Sequence, residues 1–296
     1  MRTVTIVGVG RVGGALALSL TNAGFEVVRL VTNDVEAARI LSTRIPSNPS
    51  VSTLAGLLKI DSDCLFVTTQ DSKIRNTALE LAKIPIQGGE FAFHTSGALS
   101  STELLPLEEA GWRAASVHPL ISISDPERGA ASFEGAYFAV EGEVSAVKMA
   151  TTLVRQLGGL PFEVETDQKA LYHAAAVVAC GHLVALVEIS QRMLAHCGLE
   201  NEMIRRALIP LIESTVANLG EHGPAKALTG PFQRADAETV EKHLQKIKEI
   251  GDEDVDRVYR LLGLVSTEIS AANGADPGRI ARIRNSILLD KNKPRC

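Results

Sequence analysis

The sequence predicts two fold classes in series: an α/β domain on a doubly wound, mostly parallel sheet over residues 1–166, then an all-α domain over 167–296. Three observations carry that reading. An apolar strand, Thr3 to Val7, runs straight into Gly8-Val9-Gly10-Arg11-Val12-Gly13, and a helix-forming stretch follows. Short apolar segments then alternate with helical patterns as far as Glu165, as in a parallel sheet covered by helices. Beyond Glu165 no strand pattern recurs.

The glycine turn is the densest signal. In G-x-G-x-x-G the first glycine allows a tight turn, the second a close approach of backbone to a pyrophosphate, and the third close packing of helix on strand. The helical run Ala15 to Ala23 would aim free N–H groups at those phosphates. Gly24 stops it, and Phe25 to Val31 reads as the second strand. A complete β-α-β unit around the motif makes this a Rossmann dinucleotide-binding domain. Further strands are expected at Cys64–Val67, Phe91–Phe93, Ala114–Val117, Tyr137–Val140 and Pro161–Val164, with a helix at 144–157 before the last. Their carboxyl ends carry Thr68-Thr69-Gln70-Asp71, His94-Thr95-Ser96-Gly97 and His118-Pro119-Leu120, where active groups of such sheets gather. The expected cofactor contacts are Gly8, Gly10, Arg11, Val12, Thr32, Asn33, Thr68, Thr69, Gln70, Thr95 and Ser96.

An NAD enzyme commonly places an acid at the end of the second strand, roughly 20 residues past the glycines, for the ribose 2′-hydroxyl. Here the strand ends Val31-Thr32-Asn33, and the first carboxylate is Asp34. Asp34 also reads as the N-cap of a helix beginning at Val35. Hydroxyl and amide groups tolerate a 2′-phosphate, and Arg11 or Arg39 could reach it, so NADP is favoured over NAD.

Composition sets the outer limits. With 30 Lys plus Arg against 35 Asp plus Glu, the net charge of −5 gives no broad nucleic-acid footprint. The four cysteines, Cys64, Cys180, Cys197 and Cys296, lack metal or redox spacing and fit reduced thiols in a cytoplasmic protein. The N-terminal apolar stretch is already a strand, so no secretory leader is expected. The longest apolar run, Ala174 to Val187, is interrupted by His182 and falls short of the roughly 20 residues a bilayer requires. No membrane partner is expected.

In the second half, Asp167 to about His196 reads as one helix, apolar around much of its circumference. Such a helix must be buried by other helices or by a second subunit, and a homodimer through the helical domain is expected. Further helices are expected at 202–219 (bent at Pro210), 237–249 (capped by Asp236), 254–273 and 277–289 (Asp276 as cap, Pro277 at its first turn).

Two segments here could do chemistry. Lys169 and His173, at i and i+4, share a helix face. Lys169 suits protonation of a developing alkoxide or binding of a carboxylate, and His173 suits positioning or relay. The same pair also reads as a solvated lysine and a core histidine. The loop Leu228-Thr229-Gly230-Pro231 through Arg234-Ala235-Asp236 offers a hydroxyl and a guanidinium fork for a carboxylate, or is an ordinary interhelical turn. His94 and His118 follow strands at the cofactor side, and His118 with Thr229, Gly230 and Arg234 forms the candidate substrate set. Ser96 beside a histidine lacks the G-x-S-x-G elbow of a hydrolase, and no metal is expected from the histidine spacing.

Over nearly its whole length the chain resembles the bacterial family that pairs a Rossmann-like domain with the helical domain of unknown function 2520. The matching segments are Gly8-x-Gly10-Arg11-Val12-Gly13, Thr68-Thr69-x-Asp71, His94-Thr95-Ser96-Gly97, His118-Pro119-Leu120, Tyr172-His173-Ala174-Ala175-Ala176 and Leu228-Thr229-Gly230-Pro231. That family is similar in architecture to ketopantoate reductases, 6-phosphogluconate and 3-hydroxyisobutyrate dehydrogenases, pyrroline-5-carboxylate reductases and deazaflavin-dependent NADP oxidoreductases. Several of these place a catalytic lysine at the start of the interdomain helix and an asparagine four residues on. Lys169 matches the lysine, and His173 stands at the asparagine position. The family often has Asn where this chain has Gly181-His182, and Arg-Gly-Asp where it has Arg234-Ala235-Asp236. The resemblance implies an NADP-dependent reductase of a small 2-keto acid, with ketopantoate the leading candidate. An imine reductase of the pyrroline-5-carboxylate type and a non-catalytic NADP-binding regulator stay open as alternatives.

Overall fold

In the computed structural model, which describes residues 2–288, eight strands form one sheet in the order β3-β2-β1-β4-β5-β6-β7-β8. They are β1 (Thr3–Val7), β2 (Glu26–Val31), β3 (Ser50–Ser52), β4 (Cys64–Val67), β5 (Phe91–His94), β6 (Arg113–Pro119), β7 (Tyr137–Gly142) and β8 (Leu160–Glu163). All pairs are parallel except β6 with β7. The order reverses beside β1, the switch point at which open α/β sheets bind ligands. The short edge strand β3 is an addition to the sequence expectation. With only Ser-Val-Ser it shows little apolar pattern, and its pairing to β2 alone defines it.

The central strands β4 and β5 are buried throughout because helices cover both faces of a parallel sheet. Alternation divides their side chains between two cores. Phe66 and Phe93 join Leu16, Leu20, Phe133 and Phe138 on one face, while Leu65, Val67 and Ala92 join Ile74, Leu81, Leu104 and Trp112 on the other. The helices of this unit are α1 (Arg11–Asn22), α2 (Val35–Ser42), α3 (Asp71–Leu81), α4 (Leu105–Glu109), α5 (Pro126–Ala131) and α6 (Val144–Gln156). The sheet register aligns Val7 with Val67, Val67 with His94, and His94 with Ser116. Across the antiparallel pair, Ser116 faces Glu141. Five strands thus bring their functional positions into one row.

The long apolar helix is composite. A 3₁₀ turn at Thr166–Gln168 leads into α7 (Lys169–Ala176), a π-helical turn at Val177–Gly181, and α8 (His182–His196). The chain divides into two compact units at Gly181/His182, where the π turn ends and α8 begins, whereas the sequence pattern changes at 166/167. By length and composition the 31 residues Thr166–His196 could cross a membrane, which corrects the expectation drawn from the uninterrupted run 174–187 alone. One histidine breaks a run of letters without breaking the helix.

The second unit contains α8, α9 (Asn201–Ala227), α10 (Gly230–Gln233), α11 (Ala237–Ile250), α12 (Glu253–Ala272) and α13 (Pro277–Leu288). Leu289, expected to end α13, lies outside the described residues, as does Cys296. The second long helix continues past residue 219 and breaks at Gly223, which adopts φ +69° and ψ 172°, while Pro210 stays within it. Asp236 caps α11 by accepting from the Thr239 amide, and Asp252 caps α12 through the amides of Asp254 and Val255. Asp276 accepts from the Arg279 amide at the start of α13. A small core of Val240, Leu244, Ile280, Ile283 and Ile287 joins α11 to α13. Helix α8 contributes no fully buried residue.

Candidate active site

The glycine turn has the shape a dinucleotide needs. Gly8 has φ +103°, and its N–H donates to the Val31 carbonyl at 2.8 Å. A Cβ there would stand 2.7 Å from the Thr68 and Thr69 backbones, and one at Gly13 would stand 2.1 Å from the Gly8 oxygen. At Gly10 nothing lies within 4 Å, so the turn is packed on its protein side and open on the other. Gly10 begins α1 with no side-chain cap, and the first turn of that helix carries no acid. Its free N–H groups therefore suit an anion.

Thr68 serves this turn from within, since its Oγ1 donates to the Gly8 carbonyl at 2.6 Å. The next hydroxyl, Thr69 Oγ1, is buried without a protein partner, so its bonding capacity suits a cofactor oxygen. Gln70 begins α3 without a side-chain cap bond. At the end of β2, Thr32 Oγ1 accepts from the Asp34 amide and Asp34 Oδ1 accepts from the Ala37 amide. Asp34 is thus engaged as a helix cap, and Asn33 is exposed beside it. Arg39 is exposed and pairs with Glu36 at 3.9 Å.

A cavity of about 300 Å³ opens beside the turn, lined by Arg11, Val12, Thr95, His118, Pro119, Ile121, Ser122 and Ile123. It joins the first residues of α1 to the ends of β5 and β6. Ser96, expected among the cofactor contacts, does not line it. Its amide donates to His94 Nδ1, its Oγ accepts from the Leu99 amide, and its carbonyl accepts from Ser116 Oγ and Lys169. With its amide, Oγ and carbonyl each holding a partner in the loop, β6 or α7, Ser96 braces the site, and Thr95 is the residue of this loop that lines the cavity.

Behind that wall lies a group of ionisable side chains. Lys169 is only 1 % exposed, and its Nζ donates to the Ser96 carbonyl at 3.0 Å and to Ser116 Oγ at 2.7 Å. Burial pulls its ammonium down to about 8, with Glu141 and Asp71 opposing the shift. Glu141, itself buried, accepts from the Ser101 amide and hydroxyl and from Thr166 Oγ1. It thereby fixes the 3₁₀ turn that delivers Lys169.

His94 is completely satisfied: Nε2 meets the Ser100 carbonyl at 2.9 Å while Nδ1 accepts from Ser96. Burial holds it neutral, pulling it down to about 4. His118 is pulled down to about 3, by burial first and then by the Lys169 charge. Its Nδ1 lies 2.8 Å from the Tyr172 hydroxyl. The His173 ring stands edge-on to His118 at 5.5 Å, and its Nδ1 is buried without a partner. Gly97 makes this cluster possible, because a Cβ there would come within 2.3 Å of His173 Nδ1 and 2.8 Å of the His118 ring.

The structure thus assembles Lys169, His173 and His118 with Thr95, Arg11 and Val12 in the first unit. Thr229, Gly230 and Arg234 belong to the second unit. There, Gly230 has φ +80° at the start of α10, and Arg234 is exposed at its end. Sequence reasoning gave no role to Gly97, Ser116, Glu141 or Tyr172. The one signal for Glu141 was an acid closing the apolar strand Tyr137–Val140. Among the described residues no group of three or more His, Cys, Asp or Glu could hold a metal ion.

A Rossmann-like domain model matches residues 1–119, and the model of the domain of unknown function 2520 matches residues 136–265. No curated protein matches the chain. Among solved structures, the fold is similar to a protein from Thermotoga maritima, with 22 % identity and TM-score 0.73 over 92 % of this chain and 99 % of that one. A candidate NADP oxidoreductase from Bacteroides fragilis gives 20 % identity and TM-score 0.71, covering 90 % and 98 %. Pyrroline carboxylate reductase from Plasmodium falciparum, with NADP bound, gives 12 % identity and TM-score 0.54, covering 91 % and 98 %.

Proposed function

From the premise that the chain belongs to the family joining a Rossmann-like domain to a domain of unknown function 2520, we propose that it is an NAD(P)H-dependent reductase of a small 2-keto acid. The observation that carries the reading is a buried ammonium, Lys169, at the sheet edge that also holds an open glycine turn. A reduced nicotinamide cofactor, when bound, supplies a hydride to the carbonyl carbon. Gly8, Gly10, Arg11 and Val12 would hold its pyrophosphate, with Thr69, Gln70 and Thr95 beside them. Thr32, Asn33 and Arg11 support NADP over NAD, because Asp34 spends its carboxylate on the Ala37 amide.

In this reading Lys169 and His173 are the catalytic pair. The cation stabilises negative charge developing on the carbonyl oxygen, where a low-dielectric site gives it more effect than water would. Thr229, Gly230 and Arg234 are proposed to clamp the substrate carboxylate, the usual partner of an arginine fork. The proposal extends to a homodimer formed through the helical domain. Leu171, Val178 and Val184 are 62–71 % exposed along the composite helix, and apolar surface of that extent marks an interaction site. We read this helix as a subunit contact, not a bilayer span, since its first turns carry Lys169, Tyr172 and His173 into the sheet-end cluster. A cytoplasmic setting without nucleic-acid partners fits the free Cys64, Cys180 and Cys197 and the net charge of −5.

The test is NADPH oxidation by the purified protein with ketopantoate at the head of a panel of 2-keto acids and cyclic imines, and NADH in parallel. Turnover with one keto acid, abolished in Lys169→Ala, is the expected result. Turnover only with a cyclic imine would replace the substrate class. Saturable NADPH binding without oxidation of any member would favour a nucleotide-responsive regulator.

A further inference from the structure

The cavity wall contains one side chain that joins the open glycine turn to the buried cluster, and it is a histidine with a fixed partner. We infer that His118 acts as a neutral imidazole whose Nε2–H hydrogen-bonds the substrate carbonyl, and that Tyr172 selects this tautomer by donating its hydroxyl proton to Nδ1. The inference rests on the reductase reading and deepens it.

Three observations support the assignment. His118 lines the cavity together with Arg11, Val12 and Thr95, so its ring is shared between the cofactor side and the cluster. Its Nδ1 is occupied by Tyr172 at 2.8 Å, which leaves Nε2 as the nitrogen available to a ligand. Lys169 is 1 % exposed with its ammonium bonded to Ser96 and Ser116, so it supplies the positive field of the reductase reading while the proton itself comes from His118.

The groups facing His118 are Lys169, Tyr172 and His173 on α7 and His94 on β5. A neighbouring cation and burial both oppose an imidazolium here. A neutral ring can still polarise a carbonyl, as a histidine of lowered pKa does in triosephosphate isomerase. The proton balance closes through the His118–Tyr172 pair and water. As the carbonyl π pair localises on oxygen, the Nε2–H bond breaks and an O–H bond forms. Nδ1 takes the Tyr172 proton in the same event, so no imidazolate is left. The pair resets when Nδ1 returns that proton to the Tyr172 phenolate and Nε2, on the cavity side, takes one from water after the product leaves. An alkoxide is a stronger base than a phenolate, so the net transfer runs downhill. Tyr172 is a positioning residue that also restores the proton.

The experiment is long-range ¹⁵N–¹H spectroscopy on the full chain labelled at histidine, with and without NADPH, between about pH 5 and 8. The expected result is a neutral Nε2–H ring for His118 throughout, and a mixture of tautomers in Tyr172→Phe. An imidazolium in this range, or an Nδ1–H tautomer, overturns the inference. In turnover, Tyr172→Phe should lose on the order of 100-fold in kcat with NADPH affinity unchanged, and His118→Gln, which keeps an N–H donor, should outperform His118→Leu. Equal rates for those two variants overturn it as well. If Tyr172→Phe fails to fold, the wild-type spectrum and the His118 pair still decide. If no carbonyl compound is turned over, the reductase reading fails, while the spectrum independently reports the tautomer.

Discussion

The two units differ in what they bury. The first buries what is costly to bury: Lys169, His94, Glu141 and Ser116 are all under 5 % exposed. The second buries no charged side chain among its described residues, only the hydroxyls of Thr267 and Ser270, and leaves Val184 at 71 %, Leu211 at 61 % and Leu261 at 65 % exposed. Buried polar groups are tolerated when each finds a partner, and the first unit supplies those partners from its own strands and loops. Exposed apolar groups need a partner surface, which the second unit does not supply among the described residues. The buried charges all belong to the first unit, whereas large apolar side chains are exposed in both, among them Leu58, Leu171 and Val178 of the first.

Acid should break this contrast most strongly. His94 and His118 titrate near 4 and 3 in the folded protein against 6.5 when free. Between those limits the unfolded chain binds more protons, so stability is full above 6.5 and falls as pH drops. Each histidine costs about 1.4 kcal/mol per pH unit, or roughly 5 kcal/mol for both over two units. Denaturant titration followed by fluorescence of the single tryptophan, Trp112, which is buried in the first unit, measures that unit specifically. A midpoint that does not move between about pH 6.5 and 4.5 would contradict the buried-histidine picture.

Gly13→Ala comes next. Its Cβ would lie 2.1 Å from a backbone oxygen, and overpacking against backbone costs about 3 kcal/mol. The expected outcome is loss of NADPH binding in a fluorescence titration while the second unit keeps its helices by circular dichroism. Wild-type affinity in this variant would remove the glycine turn from the cofactor site.

Val184→Asp tests the other unit. A charge in a desolvated interface should weaken a dimer by about 2 kcal/mol, seen as dissociation in analytical ultracentrifugation at micromolar protein. Wild-type protein that sediments as a monomer would refute the assembly role outright.

The smallest effect is expected at Ala235, which is buried and holds φ +49°. The left-handed region disfavours a Cβ by about 1 kcal/mol, so Ala235→Gly should stabilise the second unit by about 0.5 kcal/mol after the greater unfolded-state entropy of glycine. Thermal unfolding followed by circular dichroism reads the change. Destabilisation would show that the buried methyl outweighs the strain.

Legibility followed the range of the interactions. The strand, glycine turn and helix of residues 3–22 read correctly because each depends on neighbours a few positions away. The caps Asp34, Asp236 and Asp276 were legible for the same reason, as local carboxylate-to-amide bonds. The π turn at Val177–Gly181 and the break at Gly223 were not, since each interrupts a helix whose pattern continues on both sides. In the cluster, Lys169 and His173 could be paired by helical spacing. Their companions Gly97, Ser116 and Glu141 lie 28 to 76 residues away from them along the chain and meet them through strand register.

The sequence by itself determined the two fold classes, their order, the glycine turn and the apolar character of the long helix, because periodicity and turn chemistry are local properties. The tertiary structure alone decided that Ser96 is scaffold, that His118 belongs to Tyr172, and that Lys169 is a buried charge. Those outcomes depend on which strand ends stand side by side, and the parallel register that aligns Val67, His94 and Ser116 is set by packing both sheet faces at once.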